Sequence, residues 1–116
     1  MWSWSRADSS LDVAPDDLVV EKTARSAYSP GSSDLPALLV ARDVDTLVVT
    51  GTVTNVCVEH TVRDASAAGL RVILVADACA AVRDQDHNAT LHVVYRSYGD
   101  VRSTEDVLRL LAASAG

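Results

Sequence analysis

The chain has 116 residues, of which 48% are apolar and 22% charged, so it fits one globular domain and excludes two. Ten basic residues against sixteen acidic residues leave a net charge of −6, which argues against nucleic acid or an anionic membrane as partners. No apolar stretch reaches the roughly 20 residues that cross a bilayer, and the first residues do not resemble a secretory signal. We therefore expect a soluble, cytoplasmic protein in which Cys57 and Cys79 are thiols rather than a disulfide.

The basic residues are almost all arginine. Nine of the ten are arginine, and the exception is Lys22. Because an amine does chemistry that a guanidinium cannot, a lone lysine in an arginine-rich chain is a candidate functional residue. Chance also explains a single lysine, and composition alone does not decide between the two interpretations.

The first half of the chain predicts a lead-in followed by three elements. Residues 1–17 hold four aspartates and no run of four apolar residues, so we expect a poorly ordered lead-in before a domain over 18–116. An apolar run predicts a short strand at 18–21, and apolar residues at helical spacing predict a helix at 34–43. The uncharged, β-branched run at 46–50 predicts a strand covered on both faces.

The second half continues the alternation of helices and strands. A helix is predicted at 55–68, closed by Gly69, and a second buried strand at 71–76, followed by a turn around Asp77. The remaining predicted elements are a helix over 86–98, a short strand at Val101 and a terminal helix from Ser103.

This alternation predicts an α/β fold. We expect a three-layer sandwich with a mainly parallel, Rossmann-like sheet, in which 46–50 and 71–76 are adjacent parallel strands. Residues 18–21 would belong to the same sheet, where they either pair directly with 46–50 or are displaced from it.

Cys57 lies just beyond the carboxyl end of a predicted central strand, which is where open parallel sheets bind their ligands. If Thr54 is the helix N-cap, Cys57 takes the third helical position, where free N–H groups and the helix dipole favour an anion. The thiol is therefore a candidate nucleophile, and the same N–H groups could hold an oxyanion. The competing interpretation is a buried cysteine that fills space between helix and sheet.

Three segments together resemble the isochorismatase-like cysteine hydrolases. They are Thr-Asn-Val-Cys-Val-Glu-His-Thr-Val-Arg-Asp-Ala at 54–65, preceded by Leu-Val-Val-Thr-Gly at 47–51; Asp-Ala-Cys-Ala-Ala at 77–81; and Val-Val-Glu-Lys at 19–22 with Ser-Ala-Tyr at 26–28. The resemblance runs from about residue 13 to residue 111 and covers the C-terminal part of the family fold. It implies hydrolysis of a C–N bond in a small amide, ureide or carbamoyl compound, without a cofactor.

The resemblance also implies roles for five residues. Cys57 matches the family nucleophile, and Lys22 matches the family lysine. The backbone at Val53 and Thr54 matches the place of a cis, non-proline peptide, and with the Cys57 N–H it would form the oxyanion hole. Tyr28 stands where the family usually has phenylalanine and would form an aromatic wall over a planar substrate.

One family residue has no counterpart. The family aspartate closes an apolar N-terminal strand, and no such segment stands before residue 18. The aspartates of that region lie in polar context, and none is assigned the role: Asp8, Asp12, Asp16 and Asp17. We therefore expect a truncated fold that is a poor catalyst and that associates through an exposed strand edge, as a homo-oligomer or with family members. A non-catalytic binding or oligomer partner is the alternative.

Histidines offer two further hypotheses. His60 lies one helical turn from Cys57 and could substitute for the missing base, although a surface histidine is the simpler interpretation. Cys57 and His60 could also be half a zinc site, but His87 and His92 are five residues apart and supply no second pair, so no metal is expected. Cys79 is predicted to pack, with a peripheral contact to the site as the alternative, and His87 is predicted to cap or pack its helix. The first strand–helix turn has too few glycines for a phosphate loop.

Overall fold

A computed structural model describes residues 11–115. In chain order the elements are α1 (Leu35–Ala41), β1 (Thr46–Thr52), a π-helical turn (Thr54–Val58), α2 (Glu59–Ala67), β2 (Arg71–Ala80), α3 (Asp84–Ser97), β3 (Asp100–Arg102) and α4 (Thr104–Ser114). The predicted α/β fold is confirmed. Within the described part of the chain, no helix is long and apolar enough to cross a membrane.

The three strands form one parallel sheet in the order β1-β2-β3. In register, Leu47 lies opposite Val72, and Leu74 lies opposite Val101. This pairing confirms the prediction that 46–50 and 71–76 are adjacent parallel strands. Because strands of a parallel sheet end at the same edge, the turn after β1 and the end of β2 lie together.

The main core lies between the sheet and the two helices α2 and α3. Val62, Leu74 and Val94 are fully buried there, one from each of α2, β2 and α3. Side chains alternate along a strand, so Val75 points to the opposite face from Leu74. Helix α4 packs against β2, and its buried residue is Val107. The β-branched and aliphatic residues of β2 are therefore covered on both faces, as expected for a central parallel strand.

Three predictions are wrong. The strand at 46–50 is not covered on both faces, because β1 lies at the edge of the described sheet and Val48 is 42% exposed. Residues 18–21 form no strand, because they pair with none of the strands in the described sheet and a strand needs such a partner. The turn predicted around Asp77 is also absent, since β2 runs on to Ala80 and its last residues pair with Gly51 and Thr52.

The predicted lead-in divides between described and undescribed residues. Residues 1–10 lie outside the described part, so the prediction for them stays open. Residues 11–17 contain no helix or strand, and their turn is closed by the Asp17 N–H, which donates to the Ala14 carbonyl at 3.1 Å. The boundary between lead-in and domain therefore remains a prediction.

Candidate active site

Cys57 is placed by the sharp change of direction at the end of β1. The strand register shifts between Val49 and Gly51, and Gly51 has φ +122°, a conformation that suits glycine. The peptide bond between Thr52 and Val53 is cis. Val53 is the N-cap, so Cys57 is the fourth helical residue rather than the third expected from a Thr54 cap. It still lies in the first turn, where helix geometry leaves backbone N–H groups without partners, although the Val56 and Val58 N–H groups donate to the Val53 carbonyl at 3.0 and 3.3 Å.

Lys22 lies against the Cys57 thiol. The Lys22 Nζ atom is 3.8 Å from the Cys57 Sγ atom and also donates to the Ala24 carbonyl at 3.0 Å. Both side chains are half-buried. Thirty-five residues separate them in the chain, so this contact brings together the two residues that the sequence offered as nucleophile and lysine.

The segment that follows Lys22 is held by hydrogen bonds that it donates to side chains of α2. The Ala27 N–H donates to Thr61 Oγ1 at 3.0 Å, and that hydroxyl donates to the Cys57 carbonyl at 2.8 Å. The Ser29 hydroxyl donates to Asp64 Oδ2 at 2.8 Å. Hydrogen bonds from Ser26 and Ser29 and the nearby His60 hold the pKa of Asp64 below its usual value. Thr61 thus connects the Lys22 segment directly to the backbone of the candidate nucleophile.

A second connection reaches the site from α3. Thr54 is fully buried at the start of the π-helical turn, and its Oγ1 atom lies 2.9 Å from His87 Nδ1. Which of the two groups donates depends on the imidazole tautomer. His87 lies in the first turn of α3, so it joins this helix to the turn that carries Cys57. Its predicted role of packing or capping does not include this bond.

The other candidate site residues lie around this centre. Val53 is half-buried at the turn, and Tyr28 packs against the main core, so its ring has an apolar contact besides any substrate. His60 is half-exposed, and its Nε2 atom lies 3.7 Å from Asp64 Oδ2. Within residues 11–115 the hydrogen-bond partner of the Cys57 thiol is Lys22, and no bond joins that thiol to His60. This geometry gives no support to His60 as a substitute base.

The Cys79 thiol lies in a different environment from the Cys57 thiol. Cys79 is half-buried near the end of β2, packs against the core, and has a pKa raised by burial. Both cysteines are free. In the described part of the chain, no three residues from His, Cys, Asp and Glu gather where they could hold a metal ion.

A cleft of about 300 Å³ opens beside the π-helical turn. Its six lining residues come from that turn, from α2 and from the Lys22 segment: Arg25, Asn55, Val56, Glu59, His60 and Arg63. The Arg63 guanidinium is already engaged, because it pairs with Glu59 at 2.8 Å and donates to the Tyr98 hydroxyl at 2.8 Å. Arg25 is exposed, and no ion pair or hydrogen bond within residues 11–115 involves its guanidinium.

Sequence reasoning missed three features of this site. The Thr61 hydroxyl has a readable signal, because a threonine four residues after Cys57 can donate to that carbonyl. The contact of Thr54 with His87 joins residues 33 apart, and Arg25 faces the cleft from a segment without regular structure. Neither of these has a local pattern in the sequence.

The sequence matches the family model described as Isochorismatase domain over residues 3–106. It is similar to the N-carbamoylsarcosine amidase of an Arthrobacter species, with 34% identity over 95% of this chain and 41% of that protein. It is also similar to the maleamate amidohydrolase of Pseudomonas putida, with 36% identity over 90% of this chain and 49% of that protein.

The chain is also similar to solved structures of isochorismatase-like hydrolases. The crystal structure of a cysteine hydrolase from Pseudomonas syringae pv. phaseolicola superposes with a TM-score of 0.85 and 35% identity, covering 91% of this chain and 54% of that one. The chain spans about half the length of the curated relatives it matches. With most of its own length matched by the family model and by the solved fold, this chain belongs to the isochorismatase family.

Proposed function

We propose that this chain carries the nucleophile half of a cysteine hydrolase that cleaves the C–N bond of a small amide, ureide or carbamoyl compound. The observation that best supports this proposal is the 3.8 Å contact of Lys22 Nζ with Cys57 Sγ. This contact lies at the start of a helix, beyond the carboxyl end of β1. An ammonium group and free N–H groups near a thiol both stabilise the thiolate, which is the nucleophilic form.

The reaction has two steps. The Cys57 sulfur attacks the carbonyl carbon, the C–N bond breaks, and the thiol proton passes to the leaving nitrogen, which departs as ammonia or an amine. Water then attacks the thioester, so that an acid leaves and the thiol is restored. In both steps, negative charge develops on the carbonyl oxygen, and we assign its stabilisation to the backbone at Val53 and Thr54 with the Cys57 N–H. Tyr28 would flank a planar substrate.

The named relatives support the substrate class. N-Carbamoylsarcosine amidase and maleamate amidohydrolase are named for compounds in which an amide-type C–N bond and a carboxylate occur in one small molecule. We expect turnover by residues 1–116 alone to be slow. A positioned base contributes about 10²–10⁴-fold, and no carboxylate within residues 11–115 is hydrogen-bonded to the Cys57 thiol.

The test compares three variants of the whole chain by intact mass after incubation with N-carbamoylsarcosine or maleamate, and by ammonia release. Cys57→Ala should abolish both the covalent adduct and turnover, and Lys22→Gln should slow adduct formation. Cys79→Ala is the matched control and should behave like the unaltered chain, because the raised pKa of Cys79 keeps its thiol protonated at neutral pH. Turnover retained in Cys57→Ala would end the nucleophile assignment.

A second candidate function is supported by the free edge of β1. Within residues 11–115, β1 pairs only with β2, and its uncharged residue Val48 is 42% exposed. A parallel sheet is normally covered on both faces, so the exposed face of β1 favours association. The unpaired backbone groups at its edge favour association as well. We therefore propose as the alternative an oligomer or binding partner of isochorismatase-family chains. Capture by an immobilised full-length family member, without adduct formation at Cys57, would favour this alternative over the enzyme.

A further inference from the structure

The segment that carries Lys22 is fixed by side-chain hydroxyls rather than by regular structure. Residues 22–28 contain neither helix nor strand, so their backbone groups need other partners. The buried Ser32 hydroxyl accepts a hydrogen bond from the Ala24 N–H at 3.3 Å and donates to the Ser26 carbonyl at 2.6 Å. The Ala24 carbonyl in turn accepts a hydrogen bond from Lys22 Nζ at 3.0 Å. Ser32 therefore holds the backbone on which the lysine ammonium rests.

The Thr61 hydroxyl joins this segment to the nucleophile turn. It donates to the Cys57 carbonyl at 2.8 Å and accepts from the Ala27 N–H at 3.0 Å. A hydroxyl has one hydrogen, so both of these roles are filled by a single side chain. On the other side of the site, Lys22 Nζ meets the Cys57 Sγ atom at 3.8 Å. The lysine and the thiol are thus connected twice, once directly and once through Thr61.

We infer that Thr61 is a positioning residue that keeps the Lys22 ammonium against the Cys57 thiol, an inference that rests on the proposed function. The competing interpretation is local, because a helical threonine commonly donates to the carbonyl four residues earlier. Such a bond needs no second segment, whereas the bond from Ala27 joins residues 34 apart. Attraction between charges weakens with distance, so a Lys22 segment released from Thr61 stabilises the thiolate less.

The test measures the rates at which iodoacetamide labels Cys57 and Cys79 in the whole chain at one pH, by mass spectrometry. Thr61→Val keeps the shape of the side chain but removes its hydroxyl, and Thr61→Ser keeps the hydroxyl. Each substitution is made alone and together with Lys22→Gln. Thr90→Val is the matched control, because its buried hydroxyl donates to a carboxylate of α2 rather than to the Cys57 carbonyl.

Thr61→Val should slow labelling of Cys57 roughly twofold to fivefold, the range expected when a partly exposed ion pair is lost. In the Lys22→Gln background it should cause no further slowing, because the group that Thr61 positions is then already absent. Thr61→Ser and Thr90→Val should label Cys57 like the unaltered chain. An unchanged Cys79 rate shows that a variant is folded.

If Thr61→Val raises the Cys79 rate and so proves unfolded, Ser32→Ala takes its place. This substitution breaks the same connection at the Ala24 N–H, without touching α2. It should slow Cys57 labelling to a similar extent, and again only while Lys22 is present.

Slowing of Cys57 that persists in the Lys22→Gln background would overturn the inference, since the hydroxyl would then act without the lysine. An unchanged Cys57 rate in Thr61→Val, with Lys22→Gln still slow, would also overturn it and leave the proposed nucleophile and lysine intact. A Cys57 that is labelled no faster than Cys79 in the unaltered chain would contradict the proposed function itself. The two kinds of failure are distinguished because Cys79 is an internal reference in every sample.

Discussion

At the scale of single residues, the bond between Thr54 and His87 is the contact that ties α3 to the nucleophile turn. Thr54 is fully buried and lies three residues before Cys57, while His87 is half-buried in the first turn of α3. Their side chains meet at 2.9 Å. Removing one partner of a buried hydrogen bond leaves the other group without a hydrogen-bond partner, which lowers the free energy of unfolding by about 1–3 kcal/mol. We therefore treat His87 as a positioning residue that acts on Cys57 through Thr54.

Thr54→Val keeps the shape of the side chain but removes the hydroxyl, so it should lower the free energy of unfolding by about 1–3 kcal/mol and slow alkylation of Cys57. Thr54→Ser should restore both quantities. Urea unfolding measures the first, and iodoacetamide labelling at fixed pH measures the second. Thr90→Val is the matched control, because its buried hydroxyl bonds Glu59 rather than the nucleophile turn. It should lose stability without slowing Cys57, and equal slowing in both variants would contradict a specific role for His87.

At the scale of elements, α2 is the support of the irregular segment that carries Lys22 and Arg25. Thr61 accepts a hydrogen bond from the Ala27 N–H, and Asp64 accepts one from the Ser29 hydroxyl. Because hydrogen bonds to the charged carboxylate lower the pKa of Asp64, the ionised form stabilises the folded state. This contribution is present above the ordinary aspartate pKa of 3.8 and is lost as pH falls through the lower value in the folded chain.

Asp64→Asn should therefore lower the free energy of unfolding by about 1 kcal/mol at pH 7. The difference from the unaltered chain should shrink as pH falls below 3.8, where Asp64 itself becomes protonated. Urea unfolding at pH 7, 5 and 3 measures this. Asp34→Asn is the control, since Asp34 is exposed and its side chain makes no capping bond to α1. A difference between Asp64→Asn and the unaltered chain that stays constant across the three pH values would show that the carboxylate charge is not involved.

At the scale of the whole molecule, the apolar surface is unevenly covered. The side of β1 that bears Val48 lies opposite the main core, and α4 leaves several leucines more than two-fifths exposed: Leu108, Leu110 and Leu111. Burial of apolar area contributes about 25 cal/mol per Å², so contacts that cover these side chains are favourable. Since β1 carries no charged residue to protect its edge, the expected contact is edge-to-edge pairing with a second copy of the chain.

We expect size-exclusion chromatography with light scattering to show a dimer or larger species. Val48→Lys places a charge on the exposed edge strand and should raise the dissociation constant about tenfold or more, because two like charges then approach one another. Val82→Lys is the control, since Val82 is 90% exposed and lies outside the sheet. A strict monomer at all concentrations, or equal weakening by both substitutions, would refute this interface.

Much of the fold is encoded locally and was therefore predictable. The uncharged β-branched runs that became β1 and β2, the helical periodicity of α2 and α3, and the left-handed Gly69 after α2 all act within a few residues of one another. The same holds for the position of Cys57 just beyond a strand end. Such signals fail at boundaries, where β2 continues through Asp77 because its last residues find partners on β1.

By itself, the sequence determined the order and type of the elements and identified Cys57 and Lys22 as candidates. Only the tertiary structure decided that Lys22 Nζ lies 3.8 Å from the thiol, that residues 18–21 form no strand, and that Arg25 faces a cleft without an ion-pair partner in the described chain. The physical reason is the same in each case. Periodicity and caps report interactions between near neighbours in the chain, whereas a strand partner, an ion pair or a cleft depends on residues that only folding brings together.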